Sequence, residues 1–332
     1  MRAVQVPTAG GSFELVEREA PRPGRGQVLV RVAACGVCHS DVMARVGMAS
    51  SYPRVPGHEV AGTVEAVGEG VDRWQAGQRV GVGWFGGACF TCVPCREGDF
   101  ISCTARNVTG LTADGGYADL VVAPQDALAA IPDALTDVEA APLMCAGVTT
   151  FNALRESGAR GGDLVAIVGL GGLGHLGVQY AAAMGFEVVA VARGAEKGEF
   201  ASQLGAHHYV DSTSSDVAAE LQRLGGAQTV LSTVTDAGAT SATVGGLRHR
   251  GRLVVVGAPQ EPLQLEAGAM IGPSLVVAGH ASGSAKDSED ALRFAALSGV
   301  RPMTETAPLE QAEDAFGRMM AGKPRFRMVL TV

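Results

Sequence analysis

Four cysteines fall within fifteen residues: Cys89, Cys92, Cys95 and Cys103 read C-x2-C-x2-C-x7-C. Four thiolates complete a tetrahedral Zn2+ shell at roughly 2.3 Å and leave no position open, so the spacing predicts a structural zinc lobe that contributes to folding without doing chemistry. Reduced core cysteines fit poorly, because the segment also carries Pro94, Arg96, Glu97, Gly98 and Asp99. An iron–sulfur cluster is the sharper rival, and visible absorption would reveal it. Three further potential ligands are scattered: Cys38 in Cys35-Gly-Val-Cys38-His39-Ser40-Asp41, His58 in Pro56-Gly57-His58-Glu59-Val60, and Cys145 in Pro142-Leu-Met-Cys145-Ala-Gly147. Taken singly, each is more often a packed or surface residue than a ligand.

A second chemical signal lies further on. Val165-Ala-Ile-Val168 runs into Gly169-Leu-Gly171-Gly172-Leu-Gly174 and then a helical stretch. This is G-x-G-x-x-G between a strand and a helix, the setting that separates a dinucleotide fingerprint from a plain glycine-rich turn. Gly169 permits the tight turn, Gly171 lets the backbone approach a pyrophosphate, Gly174 permits close packing of helix on strand, and the helix N-terminus faces the anion. An acid on the ribose 2′-hydroxyl is expected about 18 residues past Gly174, which reaches Ala192 followed by Arg193. With no carboxylate there, Arg193 and Lys197 suit a 2′-phosphate, so NADP is expected over NAD.

The elements that must position these groups follow from periodicity. The chain to about residue 140 is rich in Gly, Val and Pro, with period-two runs at Gln27 to Val32, Val60 to Val67 and Gln78 to Val82. That predicts a barrel-like β region with functional loops. From about residue 163 the pattern becomes an apolar strand (Leu164 to Val168), a helix (His175 to Met184) and a strand (Val188 to Val191), the βαβ unit of a parallel sheet. Strands are expected at Thr229 to Leu231, Leu253 to Val256 and Leu275 to Ala278, with a helix at Asp216 to Leu224, giving a doubly wound α/β sheet. The tail predicts helices at Glu289 to Ala296 and Leu309 to Met320 and a strand at Arg327 to Val332, returning to the first domain. No repeat, charge block or low-complexity tract interrupts the chain.

Composition narrows the functional classes. With 332 residues, 47% hydrophobic and 18% charged, the chain can bury a large core in about two domains. No apolar run reaches the roughly 20 residues of a membrane helix, and the N-terminus lacks a signal-peptide core, so a cytoplasmic protein without membrane partners is expected. A formal charge of −8 repels nucleic acid. Seven cysteines in an intracellular chain read as metal or catalytic groups before disulfides.

In this order, around a four-cysteine lobe and ahead of a dinucleotide fingerprint, the residues resemble the zinc-containing alcohol dehydrogenases of the medium-chain family over essentially the whole chain. The resemblance implies a GroES-like, β-barrel-type catalytic domain (1–146 and 284–332, with the zinc lobe at 89–103) and a Rossmann cofactor domain (147–283). It implies hydride transfer between a primary or secondary alcohol, or its carbonyl, and NAD(P). Cys38, His58 and Cys145 would then hold a catalytic zinc, the second ion of the chain, with the fourth position left for water or substrate. Two thiolates and a neutral imidazole balance the +2 charge, so the ion can lower the pKa of a bound alcohol toward its alkoxide.

The same resemblance puts Glu59 beneath the metal and makes Asp41 the partner that orients His58. It assigns the ligand to Cys38 and leaves Cys35, although Cys35-x2-Cys38 resembles half a zinc site, as a packed residue. Ser40 matches the hydroxyl that takes the alcohol proton. Several members carry a histidine three positions later; here Met43 interrupts that relay, so the proton is expected to leave through the cofactor ribose or water, with His39 nearer the pyrophosphate. Leu173 and Thr149 would flank the nicotinamide, and Arg327 would lie near the pyrophosphate and Glu59.

Tyr52, Trp84 and Phe85 are candidate pocket walls beside a small Ser40, and such walls suit medium-sized aliphatic or aromatic alcohols and aldehydes better than charged sugars. The remaining histidines, including His175, are expected to pack or face solvent. A short stretch between Cys103 and Cys145 lacks the insertion of dimeric animal relatives and, by analogy, points to a homotetramer, with a homodimer as the alternative. Competing readings are a zinc-dependent polyol dehydrogenase, disfavoured by Cys145, a carbonyl or activated-double-bond reductase of the same family, and a zinc-stabilised dinucleotide-binding protein without catalysis. One zinc per chain and no cofactor fluorescence change would favour the last.

Overall fold

The computed structural model describes residues Met1–Val332, which divide into two compact units: Met1–Val148 with Ser282–Val332, and Thr149–Ala281. The first unit is built on a seven-stranded sheet. Its strands run Thr304–Pro308, Arg327–Thr331, Gln27–Val37, Val60–Val67, Arg79–Val82 and Leu128–Ala130, with Leu120–Pro124 pairing the first half of Gln27–Val37. Gln27–Val37 is central because its alternating valines are buried while Arg31 faces solvent. Register shifts between Leu29 and Val30 and between Val32 and Ala34 bend it against Val60–Val67, the kind of irregularity that curves a sheet toward closure.

Three strand ends meet at one edge of this sheet. Met328 pairs with Val37, Cys35 pairs with Val60, and the Gly36 amide donates to the Glu59 carbonyl at 2.9 Å. Residues just outside those registers, Cys38, His58, Glu59 and Arg327, are thereby brought together although they span most of the chain. The C-terminal strand reaches its place through the helix Ala312–Met320, which connects the parallel pair Thr304–Pro308 and Arg327–Thr331.

In the second unit all strand pairs are parallel, in the order His208–Asp211, Glu187–Ala192, Leu164–Val168, Ala227–Ser232, Leu247–Val255 and Val276–Gly279. This is the doubly wound Rossmann arrangement, with the first strand of the unit at the centre and a switch in winding direction beside it. All five residues of Leu164–Val168 are buried, which explains a continuous apolar run rather than an alternating one. Each such Val, Leu or Ile contributes about 1.5–3 kcal/mol by leaving water.

The structure adds short elements that periodicity does not announce, among them the strands Thr304–Pro308, Leu120–Pro124 and Leu128–Ala130 of the first unit, and it alters two strands of the second. Periodicity does not announce His208–Asp211; with Val210 its single buried residue, it pairs on one side only, as an edge strand. The fifth strand begins at Leu247 rather than Leu253, because Arg248, His249 and Arg250 are exposed ahead of its buried half and mask its apolar signal. No helix is long and apolar enough to cross a membrane.

Candidate active site and metal centres

Cys38 follows the central strand and opens the short helical turn His39–Asp41, His58 and Glu59 precede the strand Val60–Val67, and Cys145 sits in the π-helical turn Leu143–Gly147. A π-turn inside helical backbone re-aims side chains and recurs at functional sites; here Cys145 is half-buried between buried neighbours. Ligand atoms of Cys38, His58, Glu59 and Cys145 all lie within 4.8 Å of one another, and the Cys38 and Cys145 sulfurs are 4.0 Å apart.

Hydrogen bonds fix the histidine. His58 Nδ1 donates to Asp41 Oδ1 at 3.0 Å, so that in the neutral ring Nε2 carries the lone pair, and Nε2 is buried with no hydrogen-bond partner. A buried imidazole nitrogen left unpaired costs stability unless something accepts its lone pair, and a metal ion does so. Asp41 Oδ2 in turn accepts from the Cys38 amide at 2.9 Å and the Tyr117 hydroxyl at 2.8 Å. The Trp84 ring packs edge-on against His58, centroids 4.9 Å apart.

The electrostatics match a cation site. The hydrogen bond with Cys145, then His58, hold the Cys38 thiol well below its ordinary range against burial, while the same bond and burial hold Cys145 well above. The two thiols therefore titrate as a pair that shares a proton between them, and metal binding requires its release. Burial opposes a charged His58, but Asp41 and Cys38 together raise it, so a metal ion at Nε2 takes the place of a proton there. Burial pushes the Glu59 carboxyl up to about 7, against the pull of Arg327, whose Nη2 donates to Glu59 Oε1. Glu59 Oε2 is buried without a partner, and a Cβ on Gly36 would fall 1.9 Å from it, so only glycine leaves room for this carboxylate.

The four-cysteine lobe is a second, separate cluster with all sulfurs within 4.8 Å. Backbone amides point at the sulfurs: Cys89 N–H to Cys103 Sγ at 3.3 Å, Cys92 N–H to Cys89 Sγ at 3.4 Å and Ala105 N–H to Cys103 Sγ at 3.4 Å. Such bonds stabilise thiolates; those from Thr91 and Cys92 bring Cys89 down to about 5, whereas burial pushes Cys95 up to about 12. The donor set is closed, soft and tetrahedral in number, which suits zinc.

Residues 24–133 match the alcohol dehydrogenase GroES-like domain and residues 172–296 the zinc-binding dehydrogenase domain. The alcohol dehydrogenase patD of Penicillium expansum is 42% identical over 324 residues, covering 97% of this chain and 95% of the relative. An alcohol dehydrogenase of Geobacillus stearothermophilus is 40% identical over an alignment of 336 residues covering 100% of both chains. The structure of a cinnamyl alcohol dehydrogenase of Sorghum bicolor superposes with a TM-score of 0.90 at 33% identity, covering 99% of this chain and 97% of that one.

The chain belongs to the zinc-containing alcohol dehydrogenases of the medium-chain family. As a member it is an NAD(P)-dependent alcohol dehydrogenase with a catalytic zinc at Cys38, His58, Glu59 and Cys145 and a structural zinc at Cys89, Cys92, Cys95 and Cys103.

In the dehydrogenase's Rossmann unit the glycines have the constraints their spacing implies. Gly169 has φ +96°, and a Cβ there would meet Thr233 Oγ1 at 2.7 Å; a Cβ on Gly174 would fall 1.7 Å from the Gly169 carbonyl oxygen, whereas Gly171 faces open space. Gly172 and Leu173 are half-buried in the same turn, and His175 is buried with Nδ1 3.0 Å from the Gly171 carbonyl oxygen. Thr149 is buried at the start of this unit. Ala192 ends its strand buried, Arg193 is exposed and Lys197 half-buried. Asp211, not singled out from sequence, ends the neighbouring strand. Its Oδ1 accepts from Gly194 N–H at 2.8 Å, Thr213 N–H at 2.9 Å and the Thr213 hydroxyl at 2.7 Å, and these bonds bring it down to about 2.

Ser40 is half-buried beside exposed His39, and Met43 is half-buried. Tyr52 donates its hydroxyl to the Ala44 carbonyl at 2.5 Å, which ties that ring to backbone, and Phe85 is buried. Cys35 is fully buried, with its sulfur beside Gly57 and Gly116, outside both cysteine clusters. Tyr117 was missed. The Gly115-Gly116 pair before it is a signal of close backbone approach, but nothing in one dimension links it to Asp41.

Proposed function

We propose that this dehydrogenase interconverts medium-sized aliphatic or aromatic alcohols with their aldehydes or ketones, with NADP preferred over NAD. The observation that carries the reading is the convergence of two sulfurs and the unpartnered, buried His58 Nε2 within 4.8 Å. When bound, zinc supplies a Lewis acid for the substrate oxygen, and the nicotinamide supplies the hydride acceptor or donor. Asp41 keeps His58 in the tautomer that leaves Nε2 free. Ser40, two residues past Cys38, accepts the hydroxyl proton, and because Met43 cannot carry it further, it passes to water or a cofactor ribose hydroxyl. Arg327 neutralises Glu59 in the buried layer behind the site. In the Rossmann unit, Gly169, Gly171, Gly172 and Gly174 shape the pyrophosphate turn, Leu173 and Thr149 flank the nicotinamide, and His39 contacts the pyrophosphate. Exposed Arg193 with Lys197 receives the 2′-phosphate where Ala192 offers no acid to a ribose hydroxyl. Tyr52, Trp84 and Phe85 contribute apolar walls, and the chains assemble as a homotetramer.

A panel of primary and secondary alcohols and their carbonyls, assayed with both cofactors, tests this reading. NADP is expected to give the higher kcat/KM, and Arg193→Ala to lower kcat/KM for NADP about tenfold while sparing NAD. An NAD preference untouched by Arg193→Ala refutes the cofactor assignment. Ser40→Ala is expected to lower kcat on the order of a hundredfold; near-native kcat across pH removes Ser40 from the proton path.

A further inference from the structure

We infer that Tyr117 is a positioning residue for the catalytic zinc, its hydroxyl acting through Asp41 on His58 and Cys38 together. The tyrosine is fully buried, and its hydroxyl donates to Asp41 Oδ2 at 2.8 Å. That oxygen also accepts the Cys38 amide at 2.9 Å, while Asp41 Oδ1 takes His58 Nδ1 at 3.0 Å. One carboxylate therefore joins the backbone of one metal ligand to the ring of another, and Tyr117 is the only side-chain hydroxyl that holds it. At 3% exposure Asp41 is shielded from solvent, so loss of a donor leaves its carboxylate under-satisfied, which costs stability.

The fold delivers Tyr117 to this place with the His58 segment itself. Val55 and Gly115, Gly57 and Gly116, and Pro56 and Tyr117 are joined by backbone hydrogen bonds of 2.8, 2.9 and 3.1 Å. Arg54 Nη1 and the Val55 amide both donate to Asp114 Oδ1, locking the strap at its far end. Glycine is required where the two segments touch. A Cβ on Gly57 would strike the Tyr117 ring at 2.4 Å, and one on Gly115 the Gly57 carbonyl oxygen at 2.1 Å. Ligand and positioning residue are thus borne on one braced pair of segments, so a shift in either is transmitted to the other.

The inference rests on the role proposed above for Asp41, and the test separates the two. Zinc release from the full-length holoenzyme is followed with a chromogenic chelator, the two phases being assigned with Cys92→Ser, in which only the structural phase is expected to disappear. The ligand field is read from the absorption of protein carrying Co2+ at the catalytic site. Tyr117→Phe is expected to release the catalytic ion about tenfold faster, to shift the cobalt bands, and to leave the structural phase unchanged. Replacing Tyr117 by 3-fluorotyrosine keeps the ring and strengthens the donor, and is expected to shift the bands the opposite way; it decides the matter if Tyr117→Phe does not fold. Phe13→Leu, which removes the ring packed edge-on against Tyr117 at 5.8 Å, is expected to lower stability without moving the bands. Native release and native bands in Tyr117→Phe, or the same acceleration in Phe13→Leu, overturn the inference. If Asp41→Asn speeds release and Tyr117→Phe does not, the inference alone fails; if Asp41→Asn also keeps native release, the role of Asp41 fails with it.

Discussion

Arg327→Met should unfold the first unit far more easily than the loss of an ordinary ion pair would. Glu59 is 0% exposed and Arg327 5%, so neither charge is screened by solvent as a surface pair would be. Removing one partner of such a pair strands the other and costs about 3–5 kcal/mol. Glu59, which burial already raises to about 7, takes up a proton more readily once Arg327 is gone, and this relief of the stranded charge places the expectation near the lower end, about 3 kcal/mol. Glu59→Gln in the same background removes the stranded charge, so the double variant should recover a large part of that loss, with a coupling energy of about 1–3 kcal/mol. Trp74 and Trp84, the only two tryptophans, both lie in this unit, so denaturant unfolding of the zinc-loaded protein followed by tryptophan fluorescence reports it directly. Costs that simply add, with a coupling below about 0.5 kcal/mol, would refute the claim that the two residues act as one buried pair.

The phosphate turn allows a cleaner separation of stability from binding. Gly174→Ala, with its Cβ 1.7 Å from the Gly169 carbonyl, should destabilise the Rossmann unit by about 3 kcal/mol or more, whereas Gly171→Ala should leave stability within about 0.5 kcal/mol yet weaken NADPH binding about tenfold in a fluorescence titration. Equal stabilities would contradict the packing role given to Gly174. Asp211 sets an acid limit. Its folded carboxyl is depressed to about 2 from 3.8, so it stabilises the fold above the higher value and loses that contribution as pH falls toward the lower. The stability gap between native and Asp211→Asn proteins should accordingly be flat above about pH 5 and close toward pH 2; a gap that widens on acidification would reverse the sign of the argument.

The sequence alone determined those features in which chemistry follows from local spacing. C-x2-C-x2-C-x7-C fits a closed zinc shell because four sulfurs within fifteen residues can reach one ion whatever the rest of the chain does. Leu164 to Gly174 announces a strand, a turn and a helix because each step depends only on neighbouring residues. The scattered site was legible only as a resemblance: nothing in the residues around Cys38, His58 or Cys145 requires them to meet. Tertiary structure decided that, by setting Val37 against Met328 and Cys35 against Val60 so that three strand ends coincide, and by placing Cys145 in a π-turn. It also decided what supports the site. Arg327 on Glu59 and Tyr117 on Asp41 are separated by 268 and 76 positions, and only the packing of strands into a sheet, which is non-local by nature, turns such separations into hydrogen-bond distances.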